Sequence, residues 1–139
     1  MKKIIITGAS GFVGSSLTTN FTNIGYEVIA IKRDQLNDTT KLTSILNNSY
    51  AVINLAGANI INRWSESYKQ LLYNSRINTT KSLIDAMSQC ENKPEIFIST
   101  SAVGIYKNDA IYDETSTSLA DDFLGHLCLD WEKEALKAK

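Results

Sequence analysis

Apolar and polar residues along this chain form blocks that fit strands and helices in turn. Four short runs rich in β-branched and aromatic residues have the length and composition of buried strands. These runs cover residues 2–7, 26–31, 50–55 and 95–99. Between and after them, apolar residues recur at the three- and four-residue spacing of helices. The helical stretches cover residues 12–23, 38–47, 64–89 and 121–139.

The strict alternation of strand and helix predicts parallel strands joined by right-handed crossovers. The predicted fold class is therefore α/β, a doubly wound parallel sheet of the Rossmann-like kind. Such folds usually have about six strands, so either this is a minimal version or the fold is incomplete. We favour the second, because Trp131 and Leu136 in the last helix would need a further surface to pack on. Residues 1–139 are then the N-terminal portion of one nucleotide-binding domain, without a substrate-binding region.

The helical pattern also predicts which side of the first helix faces the core. Its apolar side is formed by Phe12, Val13, Leu17, Phe21 and Ile24. Gly25 follows at the position where a glycine commonly ends a helix. In the last helix, Cys128 and Trp131 fall within an apolar stripe, so both are interpreted as packing residues.

Composition and charge exclude several classes of function. The 14 basic and 15 acidic residues give a net charge of −1, so no basic excess favours nucleic-acid binding. One histidine and two cysteines without ligand spacing exclude a structural zinc site. The apolar run at residues 4–6 is too short for a signal peptide, and no stretch is long enough to span a membrane. We therefore expect a cytoplasmic protein.

The strongest motif is a glycine-rich loop between the first predicted strand and the first predicted helix. Its spacing is Gly-x-x-Gly-x-x-Gly, from Gly8 through Gly11 to Gly14. Gly8 permits a tight turn, Gly11 lets a pyrophosphate approach the backbone, and Gly14 lets the helix pack closely. The helix N-terminus then offers N–H groups and a positive dipole end to phosphates. The alternative is a turn whose glycines serve geometry alone. The predicted cofactor contacts in this loop are Gly8, Ser10, Gly11, Phe12, Val13 and Gly14.

The end of the second strand indicates which dinucleotide is bound. An NAD-selective site usually has an acidic residue there, to bind the ribose. This chain instead has Lys32 and Arg33, and an arginine accepts a 2′-phosphate through charge-assisted hydrogen bonds. The sequence therefore predicts NADP(H) in preference to NAD(H). The alternative is a solvated surface pair in which Asp34 neutralises Arg33.

Several further segments resemble one family over essentially the whole chain. After the glycine loop come Leu55-Ala56-Gly57, Arg63-Trp64, Ser75–Thr80, Ser99–Tyr106 and Trp131-Glu132. In this order they are similar to the extended short-chain dehydrogenase/reductases, and within them to the sugar-nucleotide epimerase-like group. The resemblance implies an NAD(P)-dependent epimerase or dehydratase, with a nucleotide sugar as one candidate substrate and a homodimer through the two long helices. It adds to the cofactor-binding candidates Leu55, Ala56, Gly57, Arg76 and Ser99.

The departures from the family pattern concern catalysis. Ser101 matches the catalytic serine of that family, and the alternative is that it caps a turn. Tyr106 is a candidate proton donor, and the alternative is that it packs at an edge. Arg76 replaces the family's helix asparagine; it could reach an anion or form a surface salt bridge. No tyrosine has a lysine four residues later, so the usual proton relay is missing.

The sequence thus favours an NADP(H)-binding, epimerase- or oxidoreductase-like protein of unknown substrate. The alternatives are a regulatory module that binds NADP(H) without turnover, and an inactive fragment. In either case we expect this chain alone to lack turnover.

Overall fold

The computed structural model describes residues 1–138 and contains the predicted strands and helices with small shifts at their ends. The strands are β1 (Lys3–Thr7), β2 (Glu27–Ile31), β3 (Ala51–Asn54) and β4 (Ile96–Ser99). The α-helices are α1 (Phe12–Asn23), α2 (Thr39–Leu46), α3 (Glu66–Ser88) and α4 (Phe123–Ala135). Two short 3₁₀ helices span Arg33–Asn37 and Val103–Ile105. The last predicted helix runs on to residue 139, which lies outside the described residues, whereas α4 ends at Ala135.

All neighbouring strands of the sheet are parallel, in the order β2-β1-β3-β4. The chain moves outward from β1 to β2 and then returns to place β3 on the other side of β1. This reversal confirms the doubly wound topology, and it leaves a crevice at the carboxyl ends of β1 and β3. At that end, Thr7 is paired with Ile31 on one side and Asn54 on the other.

The two central strands are buried on both faces, as their continuous apolar runs predict. On one face, Ile5 and Val52 join a cluster with the buried side chains of α2 and α3, which include Leu42 and Leu83. On the other face, a cluster centred on Ile4, Ile6, Ala51 and Ile53 is covered by α1. The alternation of side chains along each strand explains this division.

The predicted apolar side of α1 is wrong for three of its five residues. Leu17 and Phe21 pack on the sheet, but Phe12 is 95% exposed and Val13 and Ile24 are also exposed. Gly14 is the buried residue of this helix and rests on the glycine loop. Because each residue turns the helix by about 100°, Phe12 lies on the side opposite Gly14, Leu17 and Phe21.

The expectation that Trp131 needs a surface outside this chain is also wrong. Trp131 is only 5% exposed, and its indole N–H donates a hydrogen bond of 3.0 Å to Thr80 Oγ1 of α3. Leu136, just after α4, is 78% exposed. Cys128 is buried, as expected of a packing residue.

Helices α3 and α4 begin where a side chain caps each of them. The side chain of Ser65 accepts a hydrogen bond from the Tyr68 amide, so α3 starts after Trp64 rather than at it. Asp122 caps α4 in the same way, through the amide of Gly125. Within residues 1–138, no helix has both the length and the apolar character needed to cross a membrane.

Candidate functional site

A cleft of about 800 Å³ opens at the carboxyl ends of the central strands. The glycine loop and the residues after β2 and β3 form most of its walls, and α3 closes one side. The predicted site residues that line it are Gly8, Ser10, Gly11, Lys32, Arg33, Leu55, Ala56 and Gly57. Those outside its lining are Phe12, Val13, Gly14, Arg76, Ser99, Ser101 and Tyr106. The lining residues that the sequence did not predict are Thr7, Ala9, Ala30, Ile31, Leu36, Ala58, Leu71, Asn74, Ser75 and Thr79.

Two glycines of the loop are required by the protein's own packing. Gly8 has a φ of +70°, and a Cβ there would lie 3.0 Å from the backbone N of Ala56. A Cβ on Gly14 would lie 2.2 Å from the carbonyl oxygen of Gly8. The loop therefore packs directly against the segment after β3, and α1 packs directly against the loop.

Gly11 is less tightly constrained by the surrounding backbone than these two glycines. Its backbone is extended, with a φ of −76°, and a Cβ there would approach only the carbonyl oxygen of Gly8, at 3.3 Å. Gly11 also lines the cleft. The absence of a side chain therefore leaves room for a ligand next to the backbone.

The N-terminus of α1 has no side-chain cap and no acidic residue in its first turn. The other α-helices within residues 1–138 are capped by Asp38, Ser65 and Asp122. The first amides of an α-helix have no intrahelical partner, so those of α1 remain available at the edge of the cleft. Together with the helix dipole, they favour an anionic group there.

The charge at the end of β2 also favours an anion. Lys32 and Arg33 line the cleft, whereas none of its lining residues within 1–138 is acidic. Arg33 forms no ion pair in the described part of the chain, so Asp34 does not neutralise it. The turn is fixed by a hydrogen bond of 2.7 Å from the Lys32 amide to Gln35 Oε1.

A buried polar network fixes the floor of the cleft. Asn54, fully buried at the end of β3, accepts a hydrogen bond from Thr7 Oγ1 and donates to Thr80 Oγ1 and Ser99 Oγ. Thr7 Oγ1 in turn accepts hydrogen bonds from the amides of Leu55 and Ala56. Ser99 is therefore placed below the cleft, as a partner of Asn54.

The side chains of Ser75 and Arg76 hold the segment after β3 against α3. The Ala58 amide donates to Ser75 Oγ over 2.9 Å, and Arg76 Nη2 donates to the Ala58 carbonyl oxygen over 3.0 Å. Arg76 Nη1 also donates to the carbonyl oxygen of Leu72. Burial lowers the pKa of the Arg76 guanidinium. The predicted surface salt bridge of Arg76 is absent from residues 1–138.

The candidate catalytic residues lie after β4, beyond the cleft lining. Ser101 Oγ is exposed and donates a hydrogen bond of 2.5 Å to Glu132 Oε1 on α4. The ring of Tyr106 stacks on that of Tyr112, with centroids 5.8 Å apart. No sequence pattern predicts Glu132 as the partner of Ser101. Burial raises the pKa of the nearby Cys128 thiol, which therefore stays protonated at neutral pH.

Residues 4–122 match the NAD dependent epimerase/dehydratase family. The chain belongs to this family. It is 36% identical to an epimerase family protein of Staphylococcus haemolyticus, over 97% of this chain and 50% of that protein. An epimerase family protein of Staphylococcus saprophyticus is 34% identical over the same shares.

Two solved structures have the same architecture as this chain. The human epimerase family protein SDR39U1 (isoform 2) with NADPH superposes with a TM-score of 0.84 and 30% identity, over 96% of this chain and 48% of that one. MoeE5 in complex with UDP-glucose and NAD gives a TM-score of 0.81 and 26% identity over the same shares. The chain thus spans about half the length of these relatives.

Proposed function

We propose that this chain binds NADP(H) in the cleft at the carboxyl ends of β1, β2 and β3. It is the nucleotide-binding part of an epimerase- or oxidoreductase-like protein. Two similar structures support a nicotinamide cofactor, since SDR39U1 is solved with NADPH and MoeE5 with NAD. The residues that line this cleft also have the chemistry that a dinucleotide needs.

One observation carries the proposal. The uncapped N-terminus of α1 begins at Gly11, a residue that lines the cleft and has no side chain. Free amides, the positive end of the helix dipole and room for close approach together suit a pyrophosphate. The family resemblance and this geometry therefore point to the same group at the same place.

The preference for NADPH over NADH rests on Lys32 and Arg33. Both residues line the cleft, and no carboxylate among the described lining residues would repel a 2′-phosphate or bind a ribose hydroxyl. Arg33 is exposed and unpaired within residues 1–138, so its guanidinium is available for a bidentate phosphate contact.

A nucleotide sugar is the proposed substrate class of the whole protein. MoeE5 is solved with UDP-glucose and with UDP-glucuronic acid, and its identity to this chain is 26% in both structures. Ser101 and Tyr106 remain the proposed catalytic residues, and the Ser101 hydroxyl donates a hydrogen bond to Glu132 Oε1.

Cofactor binding without turnover is the second candidate function. It is favoured by the missing Tyr-x-x-x-Lys pair, because a nearby lysine charge is what would lower the pKa of a catalytic tyrosine.

The experiment that tests cofactor binding is a calorimetric titration of NADPH into the wild type and Gly11→Val. We expect the valine to abolish measurable binding, because its branched side chain occupies the space of the pyrophosphate. Thr19→Val adds a valine on an exposed part of the same helix and should bind like the wild type. Equal affinity of Gly11→Val and wild type would contradict the proposal.

A further inference from the structure

The guanidinium of Arg76 lies behind one wall of the cleft rather than inside it. Its Nη2 donates to the Ala58 carbonyl oxygen and its Nη1 to the Leu72 carbonyl oxygen, at 3.0 and 3.1 Å. Its plane also faces the backbone of Gly57, where a Cβ would lie 2.8 Å from Cζ. Arg76 is therefore in close contact with two consecutive residues of the cleft wall.

The charge of Arg76 has no acidic partner within 4.0 Å in residues 1–138. The side chain is partly buried, and the ring of Trp131 lies 5.4 Å from its Cζ. Burying a cation costs free energy unless hydrogen bonds compensate it. Here two backbone carbonyl oxygens compensate the cost of burying the Arg76 guanidinium. The guanidinium therefore binds the backbone and is not part of a surface ion pair.

Both ends of this wall segment are anchored. At its start, the Leu55 and Ala56 amides donate to Thr7 Oγ1, each over 3.2 Å. At its end, the Ala58 amide donates to Ser75 Oγ, while the Ala58 carbonyl oxygen accepts from Arg76. The segment of residues 55–58 is thereby fixed between β1 and α3.

We propose that Arg76 is a positioning residue that holds residues 55–58 at the separation from the glycine loop that the dinucleotide requires. The proposal rests on the proposed function, since it assigns Arg76 to the wall of the same cofactor cleft. A positioning role and a direct phosphate contact require different properties of the Arg76 side chain. The positioning role requires a planar guanidinium that reaches two carbonyl oxygens, and a positive charge alone is insufficient.

Arg76→Lys separates the positioning role from a direct phosphate contact, because lysine keeps the positive charge but lacks the planar guanidinium. The first measurement is amide hydrogen exchange of the protein without cofactor. We expect faster exchange in the peptide that contains Ala58 and no change in the peptides of β1. Arg63→Lys makes the same chemical change at an exposed arginine and is the matched control. Unchanged exchange at residues 55–58 would overturn the proposal.

The second measurement is the NADPH affinity of the same variants. We expect Arg76→Lys to bind roughly tenfold more weakly, which corresponds to one good hydrogen bond of about 1.4 kcal/mol. The ratio of the wild-type to the Arg76→Lys affinity for NADPH should be the same at 50 and 300 mM salt, because Arg76 makes no contact with a phosphate charge in this proposal. Wild-type affinity in Arg76→Lys would overturn the positioning role, as would a ratio that depends strongly on salt.

Gly57→Ala provides a second route that leaves Arg76 in place. Its new methyl group displaces the guanidinium, so it should weaken NADPH binding in the same way. The losses should not add in Gly57→Ala/Arg76→Lys, because both changes disturb one contact. Additive losses would overturn the proposal.

If the wild type itself fails to bind NADPH, the proposed function is wrong, whereas hydrogen exchange still decides whether Arg76 holds the wall.

Discussion

Arg33 is the residue on which the choice between the two cofactors depends. It lines the cleft at the end of β2 and has no ion-pair partner within residues 1–138. A contact from its guanidinium would be made to the 2′-phosphate of NADPH, a group that NADH lacks. The two cofactors should therefore respond differently to its removal.

Arg33→Ala should weaken NADPH binding about ten- to a hundredfold and leave NADH binding nearly unchanged, because one charge-assisted contact is lost. The measurement is a pair of titrations with the two cofactors. Lys41→Ala, at an exposed position of α2, removes the same charge away from the cleft and should change neither. Equal weakening of NADPH and NADH would mean that Arg33 has a structural role only.

Single residues were predictable from the sequence where their role is local. Gly8, Gly11, Lys32 and Arg33 line the cleft within a few residues of a strand end, so local spacing predicts their position. Ser75 and Glu132 act across 17 and 31 residues, on Ala58 and Ser101, and only tertiary packing brings them there. No local pattern identifies such partners.

At the scale of elements, periodicity predicted the order of strands and helices, but the orientation of α1 depended on one contact. Gly14 fixes the helix by packing on Gly8, and this rotation turns Phe12 toward solvent. A count of apolar residues cannot detect that a glycine is the buried one. Trp131 shows that a polar residue can also determine the packing of a helix, because its indole N–H donates a hydrogen bond to Thr80 Oγ1 on α3.

The packing of α4 on α3 includes a hydrogen bond from the Tyr73 hydroxyl to Asp130 Oδ2, 2.9 Å long. This hydrogen bond, together with burial, raises the pKa of Tyr73 above its usual value of 10.0. Only the protonated phenol donates to the carboxylate. Its contribution to stability is therefore complete below about pH 10 and is lost as the pH rises through the raised pKa.

Tyr73→Phe should lower the free energy of unfolding by about 1 kcal/mol at pH 7, as expected for one partly exposed hydrogen bond. The difference from the wild type should shrink as the pH is raised above 10. Chemical denaturation at pH 7 and pH 11 measures both values. Tyr50→Phe is the matched control, since the Tyr50 hydroxyl makes no hydrogen bond within residues 1–138. A difference that stays constant with pH would show that packing, not the hydrogen bond, matters.

At the scale of the whole molecule, the chain has the topology of its family and about half the length of the relatives compared. The cleft is built from elements of this chain, but Ile96 and Ile98 of β4 remain partly exposed on the sheet face that α1 covers elsewhere. Cofactor binding depends on the residues that line this cleft. Turnover depends in addition on a substrate site and a proton relay.

This chain alone should not oxidise NADPH in the presence of nucleotide sugars or small carbonyl compounds. The reason is the missing Tyr-x-x-x-Lys pair, together with Ser101 lying in the open beside Glu132. The measurement is the decrease in NADPH absorbance across a panel of such compounds. Turnover above background that is abolished by Ser101→Ala would contradict this expectation and would establish Ser101 as catalytic.

The most direct test of the central claim is an NMR titration of the wild-type chain with NADPH, followed by nitrogen–proton correlation spectra. We predict saturable shifts with a single dissociation constant, largest for the amides of Gly11 and Phe12 and clear for Lys32 and Gly57. Amides on the outer side of α4 should not move. Shifts confined to residues outside the cleft, or no shifts at saturating NADPH, would contradict the assignment of this cleft as the cofactor site.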